Sequence, residues 1–132
     1  MKGVRNLIIV LLGLFAVIFL ISSLNKFVEE MNLLKLPRSE IKVQVLNGTD
    51  IQGLARKVAD YLRRKGFDVC EIGNADTIHT ITVIIDRATP KKTNAKIVAY
   101  TLRQGKLAFE PDPLGLISVT IVIGKDFKGI PK

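Results

Sequence analysis

The chain has 132 residues, which suits one small domain with an appendage. Lysine and arginine total 20 against 12 aspartate and glutamate, and the net charge of +8 favours anionic partners such as nucleic acid, lipid headgroups or an anionic wall polymer. A single cysteine excludes an intrachain disulfide, and a single histidine with no carboxylates at a recognisable ligand spacing predicts neither a metal site nor a cofactor.

An uncharged apolar stretch of 18 residues, LIIVLLGLFAVIFLISSL, occupies positions 7–24. As a helix rising about 1.5 Å per residue it would be roughly 27 Å long, near the hydrocarbon thickness of a bilayer. A signal peptide is the alternative, but its apolar core usually has about 7 to 15 residues and ends in a small-x-small site. Only Ser22 and Ser23 resemble such a site. The pattern therefore predicts an uncleaved membrane anchor.

The charges beside this stretch predict its orientation. Lys2 and Arg5 precede it, whereas Lys26 after it is soon followed by two glutamates. The positive-inside rule therefore places residues 1–6 in the cytoplasm as a short tail, and the long C-terminal part outside the cell. Without the first two basic residues, the rest of the chain keeps 18 basic and 12 acidic residues, a net charge of +6.

Residues 25–39 form a connector with two interpretations. Phe27, Met31 and Leu34 recur at helical spacing, so the membrane helix either continues along the bilayer surface or gives way to a loosely ordered stalk. Pro37 ends any such helix, because proline disfavours helical backbone at the residue before it.

The folded domain is predicted to begin with a half-buried strand, in which Ile41, Val43 and Val45 alternate with polar residues. Thr49, followed three residues later by Gln52, fits a capping box and predicts the start of a helix.

This first helix of the domain has one apolar and one charged face. Gly66 is placed to be its left-handed C′ residue, and Phe67 can fold back on Leu62 as the Schellman motif requires. The apolar face consists of Ile51, Leu54, Ala55, Val58, Ala59 and Leu62, and the charged face of Arg56, Lys57, Asp60, Arg63 and Arg64.

The rest of the domain alternates between strands and one more helix. A strand over residues 69–72 contains Cys70, which we expect to be a small buried apolar side chain. Pro90 stands at the favoured first position of the second helix, whose apolar face consists of Ala95, Val98, Ala99 and Leu102 and which Gly105 ends. The other predicted strands cover residues 80–86, 107–110 and 118–123.

The order of these elements predicts the fold class: an α/β (α+β) split βαβ-like βαββαβ sandwich with one extra short strand and two helices on one sheet face, preceded by one transmembrane helix. The domain would cover residues 40–128, and residues 129–132 would form a tail.

Asn47-Gly48-Thr49, between the first strand and its helix, has three interpretations. Backbone N–H groups at a helix start could hold an anion, although the glycines and lysine of a phosphate loop do not follow at the right spacing. The tripeptide could accept an N-linked glycan in a eukaryotic secretory host. It could also be only a turn with a cap, which uses the same residue types.

The blocks VQVLNGTDIQGLARKVADYLRRKGFDV, VIIDR and SVTIVIGKDF together resemble the LytR C-terminal domain family over roughly residues 40–128. That family occurs behind the catalytic domain of LytR-CpsA-Psr proteins, which transfer glycopolymers to the bacterial wall, and also alone behind a single membrane span. The resemblance implies an accessory role in the cell envelope. It supplies no catalytic residues, and the residues of the transferase domain are not in this sequence.

Two sets of polar residues remain as candidate binding sites. Asp86 and Arg87 end a predicted strand, where ligands bind open sheets, although a surface ion pair is the alternative. The second set is basic, and its charge has one predominant sign, although a charged helix face is usually just solvated. It consists of Arg56, Lys57, Arg63, Arg64 and Lys65 on the first helix, with Lys91, Lys92 and Lys96 near the second.

The leading functional hypothesis is a membrane-anchored, extracytoplasmic, non-catalytic binding or scaffolding module. Its expected partners are the membrane, an anionic cell-wall polymer, peptidoglycan or an envelope-assembly protein. A nucleic-acid-binding βαββαβ module is the alternative, but such modules stack bases on aromatic side chains of the central strands, and these strands contain none, so we expect no nucleic acid. An envelope enzyme is the third hypothesis, weakened because one histidine cannot supply a nucleophile-and-base set.

Overall fold

The computed structural model describes residues 1–33, 35 and 37–132, and the chain forms two compact units, Met1–Leu36 and Pro37–Lys132. The first unit contains helix α1, Lys2–Leu33, which extends past the predicted anchor and includes Phe27 and Met31. Leu34, the third residue of the predicted connector helix, lies outside the described residues. Within the described part of the chain, α1 is the one helix long and apolar enough to cross a membrane, a property that signal sequences share.

The second unit contains the two remaining α-helices and all of the strands that the structure describes. A short 3-10 turn over Arg38–Glu40 precedes them. The elements are β1 (Lys42–Asn47), α2 (Leu54–Arg64), β2 (Asp68–Asn74), β3 (Val83–Asp86), α3 (Thr93–Leu102), β4 (Lys106–Phe109) and β5 (Val119–Ile123).

The five strands form one sheet in the order β2-β1-β5-β3-β4. β1 is parallel to β2 and to β5, and β3 is parallel to β4 but antiparallel to β5. The predicted mixed α/β class, with the extra short strand at β4, is therefore confirmed. The pairing differs from a split βαβ in detail, because each helix joins two adjacent strands and β5 separates the two βαβ units instead of splitting one.

Both helices of the unit pack on one face of the sheet, as the sequence predicts. α2 contacts β1 and β2, and α3 contacts β3 and β4. The hydroxyl of Tyr61 in α2 donates to the carbonyl oxygen of Thr101 in α3 at 3.2 Å, so the C-terminal parts of the two helices meet. The core between helices and sheet includes the fully buried side chains Val43, Val45, Val58, Leu62, Ile84, Ile97, Val98, Leu102, Ile121 and Ile123.

The start of α2 differs from the prediction. The helix begins at Leu54, five residues after Thr49, and Gly53 precedes it with a left-handed φ of 78°. Thr49 is not the N-cap because its hydroxyl is used locally: it donates to Oδ1 of Asn47 at 2.6 Å and accepts from the N–H of Ile51 at 3.2 Å. The capping box inferred from Thr49 is therefore wrong, although the helix itself is present.

The start of α3 also lies later than predicted. The helix begins at Thr93 instead of Pro90, because the preceding residues close a turn in which the N–H of Lys92 donates to the carbonyl oxygen of Thr89 at 3.0 Å. Lys92 has a left-handed φ of 59°, which separates this turn from the helix.

The C-terminus of α2 has the predicted Schellman motif. Gly66 has a φ of 97°. The N–H of Phe67 donates to the carbonyl oxygen of Leu62 at 3.1 Å, and the N–H of Gly66 donates to the carbonyl oxygen of Arg63 at 3.0 Å. These are the two hydrogen bonds that define the motif.

Cys70 is exposed, so the expectation of a buried thiol is wrong. The register between β1 and β2 shifts at Val43 and Gln44, whose partners are Val69 and Glu71, and Cys70 is the additional residue of this bulge. A bulged residue has no partner across the strand pair, which takes its side chain out of the regular alternation.

Candidate functional site

Asn47, the last residue of β1, is buried and organises the loop that follows it. Its side-chain nitrogen donates to the carbonyl oxygen of Ile51 at 2.7 Å, and its Oδ1 accepts from the N–H of Thr49 at 3.0 Å. Both polar ends of the side chain therefore hold the loop together. A glycan or ligand on the amide nitrogen would require the loop to open.

Gly48 is fixed by close packing. A Cβ at this position would lie 2.6 Å from the carbonyl oxygen of Ile123 and 2.9 Å from Cδ2 of His79. The N–H of Gly48 donates to the same Ile123 oxygen at 2.9 Å, and the N–H of His79 donates to the oxygen of Gly48 at 2.8 Å. The glycine is thus required where two chain segments meet, and its N–H does not point to a free anion.

A pocket of about 320 Å³, which we name the loop pocket, lies beside this segment. It is at the carboxyl ends of β1 and β5, a position where open sheets bind ligands. Thr49 reaches it, whereas Asn47 and Gly48 are not among its lining residues. The lining consists of Thr49, Asp50, Ile51, Leu54, Gly124, Lys125 and Phe127.

Asp86 is completely buried at the end of β3. Its Oδ1 accepts from the N–H groups of Ala88 at 3.0 Å and Thr89 at 2.8 Å, and its Oδ2 accepts from the N–H of Ala95 in the first turn of α3 at 3.0 Å. The carboxylate therefore fixes the β3–α3 connection and the start of the helix. Ligand binding by Asp86 stays a prediction. The geometry indicates a structural role, because all three hydrogen bonds of the carboxylate go to backbone N–H groups.

Arg87 is half-buried and points to a different partner from Asp86. Its Nη1 lies 3.8 Å from Oε2 of Glu110, an exposed carboxylate. The predicted pair of Asp86 and Arg87 is therefore divided between two separate interactions.

The basic residues predicted on α2 are exposed. Arg63 is the one with the most local contacts: it lies 3.4 Å from Oδ1 of Asp60 and donates from Nη2 to the carbonyl oxygen of Val69 at 3.0 Å. An ion pair as exposed as this one contributes little stability. The exposed cations of this face are Arg56, Lys57, Arg63, Arg64 and Lys65.

A cleft of about 250 Å³ opens where the C-terminal parts of α2 and α3 meet. We name it the cationic cleft, because three of its lining residues are basic and none of those described is acidic. Lys65 and Arg103 follow the last residues of α2 and α3, where the partial negative charge of the backbone carbonyls favours a cation. The lining consists of Arg38, Tyr61, Lys65, Tyr100, Thr101 and Arg103.

Aromatic rings and backbone oxygens hold two of these cations in place. The guanidinium carbon of Arg38 lies 5.4 Å from the ring centre of Phe67, and its Nη1 donates to the carbonyl oxygen of Lys65 at 3.3 Å. The Lys65 ammonium lies 5.6 Å from the ring centre of Tyr61. Tyr100 adds a ring that is 64% exposed. A cation fixed on a ring loses less side-chain entropy when it binds an anion.

Sequence reasoning missed this cleft. The sequence pattern places Arg38 in the connector and Lys65 with α2, and it gives Arg103 no special role. The three positions are far apart in the chain, and no local spacing connects them. One feature of the sequence does indicate the cleft: Lys65 and Arg103 follow the last residues of α2 and α3. Packing the C-termini of the two helices together therefore brings these two cations together.

Comparisons with known proteins agree with this fold. The sequence profile of the LytR_C family, described as LytR cell envelope-related transcriptional attenuator, matches residues 40–127. A crystal structure of the soluble domain of a conserved hypothetical secreted protein from Mycobacterium marinum is similar to this chain, with a TM-score of 0.60 and 24% identity, over 77% of this chain and 72% of that one. No curated protein matches. At this identity the structural likeness shows a shared fold alone.

Proposed function

Because the chain belongs to the LytR_C family, we propose that it is a membrane-anchored, non-catalytic binding module of the bacterial cell envelope, with its folded unit outside the cell. The apolar helix α1 supports the anchor. The description of the similar protein as secreted and the cell-envelope wording of the family's description support the compartment.

The proposed ligand is an anionic wall polymer, and the cationic cleft is the observation that carries this proposal. The cleft offers Arg38, Lys65 and Arg103 within one concave surface, and Arg64, whose guanidinium carbon lies 6.0 Å from the ring centre of Tyr61, continues the charge of α2 beside it. A polymer with repeated phosphate or carboxylate groups would contact both regions at once. Binding by many weak contacts of this kind is strengthened by multivalency.

The family's description also names transcriptional attenuation, which is consistent with the alternative hypothesis of a nucleic-acid-binding module. A folded unit outside the cell would not meet the chromosome. The central strands β1, β5 and β3 also contain no aromatic residue on which a base could stack. These two points favour the wall polymer.

The positions of two polar groups support the proposal of a non-catalytic module. The carboxylate of Asp86 is occupied by three backbone N–H groups. His79 is half-buried against Gly48. We therefore expect no turnover of phosphodiester or glycan substrates, with or without divalent metal, and turnover that is abolished by Asp86→Ala in a chain that a thermal melt shows to be still folded would contradict the binding-module proposal.

Sedimentation of the full chain in nanodiscs with purified wall tests the ligand. Because exposed charges are screened over a Debye length of about 8 Å at physiological ionic strength, binding should fall steeply as salt rises. The triple variant Arg38→Gln, Lys65→Gln and Arg103→Gln should bind less wall. A matched control, Lys106→Gln, Lys125→Gln and Lys128→Gln, removes three exposed charges that do not line the cleft and should bind more than the cleft variant does.

The α2 surface is tested separately by replacing Arg56, Lys57, Arg63 and Arg64 with glutamine, which should also weaken binding. The apolar face of α2 stays intact, although Arg63→Gln removes the hydrogen bond to Val69, so a thermal melt must accompany the assay. Equal binding to wall stripped of its anionic polymer, or binding that persists in high salt, would show that the ligand is glycan or protein. The loop pocket would then be the better candidate site.

A further inference from the structure

The segment between β4 and β5 exposes two leucines that line neither the cationic cleft nor the loop pocket. Leu114 is 77% exposed and Leu116 is 61% exposed, with one glycine between them. Isolated exposed leucines are common on protein surfaces, so exposure alone has no meaning here. What distinguishes this segment, residues 111–117, is its hydrogen-bonded conformation and its position at one end of the sheet. We name it the leucine loop.

The leucine loop is held in one conformation by Asp112. Its Oδ1 accepts from the N–H of Leu114 at 3.1 Å, and its Oδ2 accepts from the N–H groups of Leu116 at 2.8 Å and Ile117 at 3.0 Å. These hydrogen bonds lower the pKa of Asp112 below its ordinary value, and the bond from Ile117 has the largest effect. Pro111 and Pro113 restrict the backbone further. The leucines are thus presented on a fixed turn, which reduces the entropy lost when they are buried.

The loop lies at the end of the sheet where the chain enters the second unit. The N–H of Ser118, next to the loop, donates to the carbonyl oxygen of Lys42, and the N–H of Lys42 donates to Oγ of Ser118, at 2.9 and 3.2 Å. Lys42 is the first residue of β1. It follows Pro37, the first residue of the unit, by only five positions, a reach of at most about 18 Å for an extended chain.

Basic residues occur at the same end of the sheet. Lys42 is exposed beside the loop, and Lys91 is exposed in the connection that follows β3. Among the nearby acids, Asp112 binds three N–H groups of the loop and Glu110 lies 3.8 Å from Arg87, whereas Glu40 and Asp68 are exposed at the same end of the sheet, so its charge is mixed. The exposed leucines match the acyl region of a bilayer surface, and Lys42 and Lys91 are placed to contact anionic headgroups beside them.

From the exposed leucines, the fixed turn and its position beside the start of β1, we propose that Leu114 and Leu116 insert into the interface of the bilayer that α1 spans. This proposal rests on the proposed membrane anchor. It gives the folded unit a defined orientation, with the start of β1 against the lipid and the loop pocket, at the other end of β1, away from it. The occupant is the lipid surface itself, not a protein partner.

The chain contains no tryptophan, so a single introduced tryptophan reports its own surroundings. Leu116→Trp and, separately, Leu114→Trp keep a large apolar side chain at the tip of the loop. Ile51→Trp is the matched control, because Ile51 is 57% exposed and follows the opposite end of β1. Each full-length variant is placed in nanodiscs of phosphatidylglycerol and phosphatidylcholine, with either ordinary or dibrominated acyl chains, and its fluorescence is compared. Circular dichroism melts check that each variant is folded.

The expected result is a blue-shifted emission that brominated lipid quenches for both loop variants, with little quenching for Ile51→Trp. Unquenched loop variants in a chain that remains in the discs would overturn the proposal and leave the anchor standing. Equal quenching at all three positions would also overturn it, because it would show no preferred orientation. A blue shift without quenching would assign the loop to a protein contact instead. A chain that does not stay in the discs would overturn the anchor, and this proposal with it.

Discussion

The carboxylate of Asp86 connects the β3–α3 turn to the first turn of α3, and this makes it a determinant of local structure. The N–H groups of Ala88, Thr89 and Ala95 all donate to it within 3.0 Å, and the carboxylate and Ala95 are buried, whereas Ala88 is exposed. A buried N–H without an acceptor is unfavourable, so the side chain and the start of α3 depend on each other.

Asp86→Ala should therefore lower the free energy of unfolding by about 3 kcal/mol, since it leaves the buried N–H of Ala95 without its charged acceptor and removes two further bonds to Ala88 and Thr89. Asp86→Asn should lower it as well, because an amide offers one acceptor oxygen where the carboxylate offers two. Denaturant melts of the full chain in detergent measure both effects. Melting curves unchanged by Asp86→Ala would contradict the structural role and return Asp86 to the candidate ligand-binding residues.

At the residue scale, sequence reasoning identified the right segments but not the roles of their side chains. Thr49 and Pro90 have the residue types of helix starts, yet α2 and α3 begin five and three residues later. The hydroxyl of Thr49 is captured by Asn47 and Ile51, and α3 is capped by a carboxylate from the preceding strand. Both outcomes depend on competition among nearby acceptors, which a spacing rule does not represent.

Among the elements, the end of α2 was predictable because its signal is local. Gly66 follows a basic last turn and precedes an apolar residue, and the resulting Schellman motif depends on the conformation of one residue. The beginning and the pairing of elements were less predictable, since the position of β5 between the two βαβ units depends on contacts across the whole sheet. Register and strand order are set by tertiary packing, not by alternation within a strand.

Gly66→Ala isolates the conformational contribution to this motif. The φ of 97° is unfavourable for alanine, while the space is open: an added Cβ would meet only Cβ of Arg38, at an ordinary 3.8 Å. The substitution should therefore destabilise the unit by about 1 kcal/mol through backbone strain and not through a clash. Gly53→Ala is a second test at the other end of the helix, where φ is 78° and no neighbour lies within 4 Å, and it should destabilise the unit by a similar amount for the same reason. A Gly66→Ala chain that melts like the parent would show that the helix ends elsewhere.

At the scale of the whole molecule, the candidate site consists of residues that sequence spacing does not connect. Exposed cations on α2 were predictable from helical periodicity, because a polar face follows from the apolar one. The cationic cleft was not, since it requires Arg38, the end of α2 and the end of α3 to meet. The apolar N-terminus shows the opposite case, where composition alone predicts a helix and the structure has one.

The remaining prediction concerns whether α1 stays attached to the folded unit. Its apolar run of 18 residues is long enough to span the hydrocarbon core, and a signal peptidase normally requires a shorter run that ends in small residues. We therefore expect the mature chain to keep residues 1–23 and to remain in the membrane pellet after a carbonate wash, as mass spectrometry and immunoblotting would measure.

A positive control for processing is available in the same sequence. The double substitution Leu20→Ala and Ser22→Ala places small residues two positions apart near the end of the run, which shortens the apolar core and supplies a cleavage signal. This variant should release the folded unit in a soluble form, whereas the parent should not. If the parent is also released, with a mature N-terminus after Ser23, α1 is a signal peptide, and the folded unit acts in the envelope without a membrane anchor. Protease treatment of intact cells then supplies the orientation: digestion of the folded unit in the parent places it outside, and protection would place it in the cytoplasm.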